Sequence, residues 1–333
     1  MTKIQGEFNF QWHITNLCNL RCKHCYQEDF SSDSDLKWPE IKSICDNIIS
    51  YLQEENRSTR IDLTGGEPFL KKELFDLLDY LDRSNPVRQL NIITNAIVLD
   101  KKTLIKLKDY RKLKMIKVSL ESLDEALCDE IRKRGVFRKV IDALRLLKEE
   151  RFEVILMFTI LKKNIDEIPK ILDLCYKYNL DGVILERFIP LGRGYAIRDQ
   201  VLQKDDWRRA LELLSSIFSS KYDLVDLLPY KAFWIKTKRT LKLLGARCNI
   251  GDTLCIMPNG DVLPCRRFNL SIGNLLKDSL GEIRKHFLLR ELKNRDFLRG
   301  RCKVCQISDC IGCRAIAYSL TGDYFLEDPQ CFW

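Results

Sequence analysis

Between Phe8 and Ile189 the sequence alternates between short runs of β-branched or aromatic residues and longer stretches with apolar residues at helical spacing. No other feature narrows the possible folds so far. FNFQWHIT at 8–15 reads as a strand, and WPEIKSICDNIISYLQEEN at 38–56 as a helix with Pro39 in its first turn, where a missing N–H costs least. RIDLTGG with KKELFDLLDYLDRS follows, then RQLNIITN with DKKTLIKLKDY and KMIKVSLE with FRKVIDALRLLKEE. FEVILMFTIL with NIDEIPKILDLCYKYN comes next, and GVILERFIP is the sixth strand. Strands separated by helices pair in parallel through right-handed crossovers. The expected class is α/β, an open partial (β/α)6 barrel of parallel strands, although a flat doubly wound sheet has the same order of elements.

The pattern then changes. A helical stretch from Lys204 to Ser219 leads into DLLPYKAFWIKTKRTLKLLGA, after which the alternation stops. From Cys248 to Cys331 the chain is short-strand and loop with eight cysteines, and LCIMPNGDVLPC carries a hairpin signal in which Asn259-Gly260 supplies positive φ angles. The expected organisation is a barrel over 1–200, a helical bridge over 201–240 and a small cysteine-rich domain over 241–333 held by metal.

Fourteen cysteines far exceed what packing needs. The N-terminal MTKIQGEFNFQWHIT has no apolar export signal, and no apolar run is long enough to span a bilayer, so a cytoplasmic protein without a membrane partner is expected. A reducing compartment disfavours a disulfide framework and leaves metal ligation or redox chemistry. Cys45, Cys128 and Cys175 sit inside helical patterns and read as small buried apolar residues. The net charge of +9 is spread along the chain, with enrichments at 101–117 and 236–242 that read as solvated faces; no nucleic-acid motif accompanies it.

Eleven cysteines remain, in two clusters. The first, Cys18, Cys22 and Cys25, has three thiols and is followed by Tyr26. A structural zinc site is closed by four ligands, so a zinc reading needs His24 or a distant residue as the fourth. A four-iron cluster takes cysteine thiolates, and three of them leave one iron open. This C-x3-C-x2-C pattern at the end of a first strand resembles the hallmark of radical S-adenosylmethionine (SAM) enzymes. The resemblance implies that the open iron chelates the amino and carboxylate groups of SAM, and that an electron from the cluster cleaves the sulfonium to a 5'-deoxyadenosyl radical.

Further residues carry the same resemblance. Gly65, Gly66, Glu67 and Pro68 end the second strand, where two glycines let a ligand approach the backbone and Glu67 offers an acceptor for an ammonium group. They are similar to the GGEP motif that receives the SAM amino group. Thr94 and Asn95 end the third strand, beside Ala96 where many family members have Gly. Ser119 and Glu121 alternate to one side at the fourth, as ribose and carboxylate ligands would. Arg132 matches a basic position that meets the SAM carboxylate in relatives. Tyr26 joins the SAM-binding set on the same ground. Glu186, Arg187 and Arg193 close the sixth strand around two glycines, and similar ends recur in the resembled family near SAM and the substrate; Arg193 reads equally well as a solvated loop charge.

In the second cluster, C302-KV-C305 and C310-IG-C313 can be read as one zinc site, but Cys248, Cys255, Cys265 and Cys331 then need a second site of widely separated ligands. The arrangement resembles the SPASM domain, an extension carrying two auxiliary four-iron clusters. Cys248 is followed by eleven residues, Gly260, four residues and Cys265, and seventeen residues separate Cys313 from Cys331. The gaps of four and two between Cys305, Cys310 and Cys313 depart from that family's five and three. By carry-over, Cys248, Cys255, Cys265 and Cys313 hold auxiliary cluster I, and Cys302, Cys305, Cys310 and Cys331 hold auxiliary cluster II. Full thiolate ligation favours electron transfer or support over substrate binding.

The resemblance implies an oxidoreductase with three [4Fe-4S] clusters and SAM, abstracting hydrogen from a peptide or protein substrate to give a crosslink or an oxidation. A low-potential donor such as flavodoxin or ferredoxin is the implied partner. Seventeen residues precede Cys18, so a leader peptide is expected to bind elsewhere or through a separate leader-recognition protein. Two alternatives stand: radical decarboxylation or oxidation of a small molecule or tetrapyrrole, as in haem synthesis, and a non-catalytic iron-sulfur or zinc scaffold. No catalytic residue beyond the SAM-binding cluster is nameable.

Overall fold

The computed structural model describes residues 7–218 and 221–333. Its first half contains β1 (Asn9–His13), α1 (Trp38–Glu54), β2 (Thr59–Thr64), α2 (Leu74–Arg83), β3 (Val87–Thr94), α3 (Lys101–Leu107) and β4 (Leu113–Ser119). There follow α4 (Glu125–Ile131), α5 (Val136–Glu149), β5 (Glu153–Ile160), α6 (Ile171–Lys177), β6 (Gly182–Arg187), α7 (Lys204–Ile217) and α8 (Leu224–Leu227). The remainder comprises β7 (Tyr230–Lys236), β8 (Lys242–Arg247), β9 (Thr253–Ile256), β10 (Val262–Leu263), α9 (Leu280–Arg284), α10 (Phe287–Lys293), α11 (Arg301–Val304) and α12 (Arg314–Thr321). The chain divides into two units, each discontinuous in sequence: residues up to 19 with 29–117 and 250–291, and residues 20–28 with 118–249 and 292–333.

The predicted α/β alternation is present. In the first unit β1 pairs in parallel with β2 and β2 with β3, and in the second β5 pairs in parallel with β6. Helix α1 buries Ile41, Ile44, Cys45, Ile48 and Leu52, a stripe at helical period, and α2 buries Leu74, Leu77, Leu78 and Leu81. Each such leucine or isoleucine contributes about 1.5–3 kcal/mol by leaving water. Cys45, Cys128 and Cys175 are fully buried, and burial pushes the thiols of Cys128 and Cys175 up to about 12, so they pack as neutral groups.

Four segments depart from the sequence reading. The helix expected over 164–179 is a 3-10 helix over Lys162–Glu167 and then α6; Pro169, between them, has no N–H to continue the ladder, although its predecessor Ile168 keeps helical geometry at φ −52° and ψ −47°. Residues 230–236, placed by sequence in a helical bridge, are strand β7, antiparallel to β6 and β8; Phe233 and Ile235 are buried with period two. Helix α7 ends at Ile217, and Ser219 lies outside the described residues. In the hairpin, Gly260 alone has positive φ, at 85°; Asn259 instead folds its side chain over the turn, its Oδ1 accepting from the Asp261 N–H at 3.1 Å. That hairpin joins the first unit, where β9 runs parallel to β1 and antiparallel to β10.

Strands β2 to β4 of the first unit also carry a polar cluster. Asp62 accepts from Asn91 Nδ2 at 2.6 Å and from Lys117 Nζ at 2.9 Å. Burial alone would raise the Asp62 pKa, but Lys117, Arg60 and the hydrogen bonds outweigh it and hold the carboxyl below its ordinary range. A depressed folded pKa gives stability that is present above the unfolded value and lost as pH falls through the folded one. Asp62→Asn is therefore expected to cost about 3 kcal/mol at neutral pH by leaving Lys117 without its carboxylate. The gap to the parent should narrow below about pH 4, as thermal melts at several pH values would read.

Candidate functional site

In the first unit the chain leaves β1 at Ile14 and turns through Thr15, Asn16 and Leu17 to Cys18. This loop is fastened to the end of β2. The Gly66 N–H donates to Thr15 O at 2.7 Å and the Glu67 N–H to Leu17 O at 2.8 Å. A Cβ on Gly65 would stand 2.7 Å from Thr15 O, and one on Gly66 would collide with the backbone oxygens of Asn16 and Leu17. The sequence reading gave these glycines to a ligand; here they admit the loop that carries Cys18. Asp35 holds it from the other side, bonding the Thr15 hydroxyl and accepting from the Asn16 N–H at 3.0 Å.

Glu67 is fully buried, and its carboxylate gathers the end of β3: Oε1 accepts from Thr94 Oγ1 at 2.7 Å and from the Phe69 N–H at 3.2 Å, while Oε2 accepts from the Asn95 N–H at 2.8 Å. Pro68 starts the 3-10 helix Pro68–Leu70, capped by that same carboxylate. Asn95 turns its Nδ2 to Asn19 Oδ1 at 2.8 Å and to Cys18 Sγ at 4.0 Å. Cys18, Gly65, Gly66, Glu67, Thr94 and Asn95 thus come together. Ala96, next in line, has φ 62°, a left-handed conformation that costs a non-glycine residue roughly 1–2 kcal/mol.

In the second unit, Cys22 and Cys25 lie on a loop held by backbone bonds from the Lys23 N–H to Ile131 O at 2.7 Å and from the Gly194 N–H to Cys25 O at 2.8 Å. Gly192, at φ 54°, packs directly on the Tyr26 backbone, which explains the glycines around Arg193. Ser119 ends β4 and Glu121 lies past it, not on one strand face with it as expected from the alternation. Glu121 is buried and ion-paired with Arg132 Nε and His24 Nε2, both at 3.3 Å. Burial would raise its pKa, but Arg132 and His24 together pull it below the ordinary range. Arg132 also bonds the Ser119 carbonyl and the Cys22 thiol. Burial pushes the Cys22 pKa up, with Arg132 opposing.

Each of the three leading thiols therefore faces an N–H donor: Cys18 that of Asn95, Cys22 that of Arg132, and Cys25 the Gln27 backbone at 3.4 Å. Such donors suit sulfur that carries negative charge, which is what an iron-sulfur cluster asks of its thiolates. Among the C-terminal cysteines, Cys255 on β9 is buried in the first unit with its thiol pushed by burial up to about 12; Cys265 follows β10 there. Cys248 and Cys313 belong to the second unit. Cys302, Cys305, Cys310 and Cys331 line one cavity of that unit. The sequence reading missed His24 as the partner of Glu121, and Asp35, Lys231 and Asp328; each acts on a residue far away along the chain, for which spacing gives no signal.

A family model described as the radical SAM superfamily matches residues 12–175, and a second, SPASM, described as an iron-sulfur cluster-binding domain, matches residues 248–311. The AdoMet-dependent heme synthase of Methanosarcina barkeri is 26% identical over 342 residues, covering 97% of this chain and 95% of that protein. The antilisterial bacteriocin subtilosin biosynthesis protein AlbA of Bacillus subtilis is 26% identical over 307 residues, covering 87% of this chain and 63% of AlbA. Native anSMEcpe with bound AdoMet and Cp18Cys peptide shares the fold with a TM-score of 0.74 at 17% identity, covering 98% of this chain and 93% of that one. Streptococcus suis SuiB bound to precursor peptide SuiA does so with a TM-score of 0.70 at 18% identity, covering 98% and 76%. No helix among the described residues is long and apolar enough to cross a membrane. With a radical SAM domain that begins within β1 and a SPASM iron-sulfur cluster-binding domain after β8, the chain belongs with the SPASM-bearing radical SAM proteins.

Proposed function

We propose that this enzyme oxidises or crosslinks a peptide or protein substrate, with SAM bound beside a cluster on Cys18, Cys22 and Cys25. When bound, the cluster and SAM together supply a 5'-deoxyadenosyl radical, which is the hydrogen abstractor. The observation that carries the site is the set of three N–H donors on three thiols, with Asn95 linking Cys18 to the Glu67 loop. In this reading Gly65, Gly66, Glu67 and Pro68 with Thr94 and Asn95 form the wall that receives SAM. Tyr26 and Ser119 belong to the proposed SAM-binding set by the family resemblance. Glu121 and Arg132 have their charges engaged by His24, Cys22 and each other, and so act as positioning residues for the cysteine loop. A flavodoxin or ferredoxin is the proposed electron donor, in the cytoplasm.

The peptide reading is supported by AlbA among the curated relatives and by the peptide-bound anSMEcpe and SuiB among structures of the same fold. A second reading, a tetrapyrrole substrate, is favoured by the heme synthase of M. barkeri, which aligns over nearly all of both chains. Two measurements separate them on anaerobically reconstituted protein. A peptide encoded beside the gene is expected to gain a crosslink or lose two hydrogens by mass spectrometry, with SAM consumption rising when it is added. Tight binding of an iron coproporphyrin, read from its intense visible band, with loss of carbon dioxide on turnover, would replace the peptide reading by the tetrapyrrole one.

Two substitutions test the site itself. Cys22→Ala is expected to remove about four iron atoms per chain and to abolish 5'-deoxyadenosine formation with dithionite and SAM. Unchanged iron would refute the ligand set. Glu121→Gln is expected to keep the iron but slow SAM cleavage about tenfold, roughly 1.4 kcal/mol of barrier, with little change in the KM for SAM. A rise in KM alone would instead make Glu121 a SAM contact.

A further inference from the structure

Cys302, Cys305, Cys310 and Cys331 line one pocket of the second unit, with charged side chains around it. Asp328 is buried and takes the two terminal nitrogens of Arg187 at 3.1 and 3.3 Å. Glu327 holds Arg301 at 2.9 Å. Each carboxylate on the cavity wall thus has its own arginine.

Two further cations lie against the sulfurs, and Lys231 also helps Arg187 to hold the Asp328 carboxyl below its ordinary range. Arg314, the first residue of α12, is fully buried, and its guanidinium donates to the carbonyls of Tyr324 and Leu326 at 2.9 and 2.7 Å and lies 3.8 Å from Cys302 Sγ. Lys231, on β7, brings Nζ to 3.7 Å from Cys310 Sγ. Among the described residues neither forms an ion pair with a carboxylate within 4.0 Å. Carbonyl oxygens satisfy the N–H groups of a buried guanidinium but not its charge, which is costly away from water unless an anion lies within reach.

The backbone is shaped around this contact. Gly312 has φ 67°, and a Cβ there would collide with Arg314 Nη2 and come within 3.2 Å of Cys302 Sγ. Its N–H donates to Cys310 Sγ at 3.4 Å. The glycine both allows the left-handed turn and leaves the path by which Arg314 reaches the sulfur.

We propose that Lys231 and Arg314 are the counter-cations of an iron-sulfur cluster on these four thiolates, and that they raise its reduction potential. This rests on the reading that the four cysteines hold such a cluster. A four-iron cluster with four thiolates is anionic, and one-electron reduction adds one more negative charge without making or breaking a bond. Positive charge and N–H donors beside the sulfurs favour the reduced form. Of the two, Lys231 is the half-buried one and tolerates substitution better.

The test is a redox titration followed by electron paramagnetic resonance on the anaerobically reconstituted full chain, with Cys18, Cys22 and Cys25 replaced by Ala to remove their signal. In that background Lys231→Met is expected to lower the reduced-to-oxidised ratio of one cluster about tenfold at fixed poise, which is 59 mV for a one-electron couple. Lys231→Arg should titrate like the parent, and Arg314→Lys should fall between. Titration of Lys231→Met and Arg314→Lys within twofold of the parent, at unchanged iron content, would overturn the proposal. The cluster reading beneath it fails separately, if Cys305→Ala and Cys310→Ala retain all of the parent's iron and sulfide.

Discussion

The close approach of two backbones, the Gly65-Gly66 turn after β2 and the loop that runs from β1 to Cys18, is the constraint from which the site follows. Two N–H to carbonyl bonds join them, and neither glycine could carry a side chain without moving the partner backbone. Because the turn leads directly into Glu67, the same contact fixes a buried carboxylate against the end of β3. Glu67 then orients Thr94 and Asn95, and Asn95 reaches back to Cys18. A glycine pair therefore sets the position of Cys18 through a closed ring of short-range interactions.

The second organising feature is how positive charge and N–H groups are distributed over sulfur. Thiolates in a partly buried setting need donors, and these come from different sources: a side-chain amide at Cys18, a guanidinium at Cys22, backbone N–H groups at Cys25 and Cys310, and cations at Cys302 and Cys310. Glu121 serves this economy from behind. Its carboxylate balances Arg132 and His24, so that a guanidinium can be buried beside Cys22 without standing alone. Burial raises the thiols of Cys128 and Cys175, and it raises that of Cys255 in the same way, so burial alone does not mark a packing cysteine.

Much of this was legible in the sequence because periodicity and turn chemistry are local. The alternation of strand and helix patterns located the first six strands, and the cysteine spacings marked both clusters. Local signals failed where a single residue broke a pattern, as Pro169 did, or where a strand lay inside a stretch read as a continuation of a helix, as at Phe233 and Ile235. They failed again at Asn259, where the side chain rather than the backbone makes the turn. The partners of Glu121 and Arg132 were not legible at all: both residues look like ligands at a strand end, and only three-dimensional proximity reveals that each is engaged by His24, Cys22 or the other. Lys231 and Arg314 belong to the same class, since nothing in their neighbours along the chain signals a sulfur beside them.

The central claim is that Cys18, Cys22 and Cys25 complete their cluster with SAM instead of a fourth side chain. Mössbauer spectroscopy of protein whose C-terminal cysteines have been replaced, recorded with and without SAM, tests it most directly. A single iron site whose isomer shift moves when SAM is added is the result predicted. Spectra that are unchanged by SAM, with every iron already in the same cysteine-like environment, would contradict it.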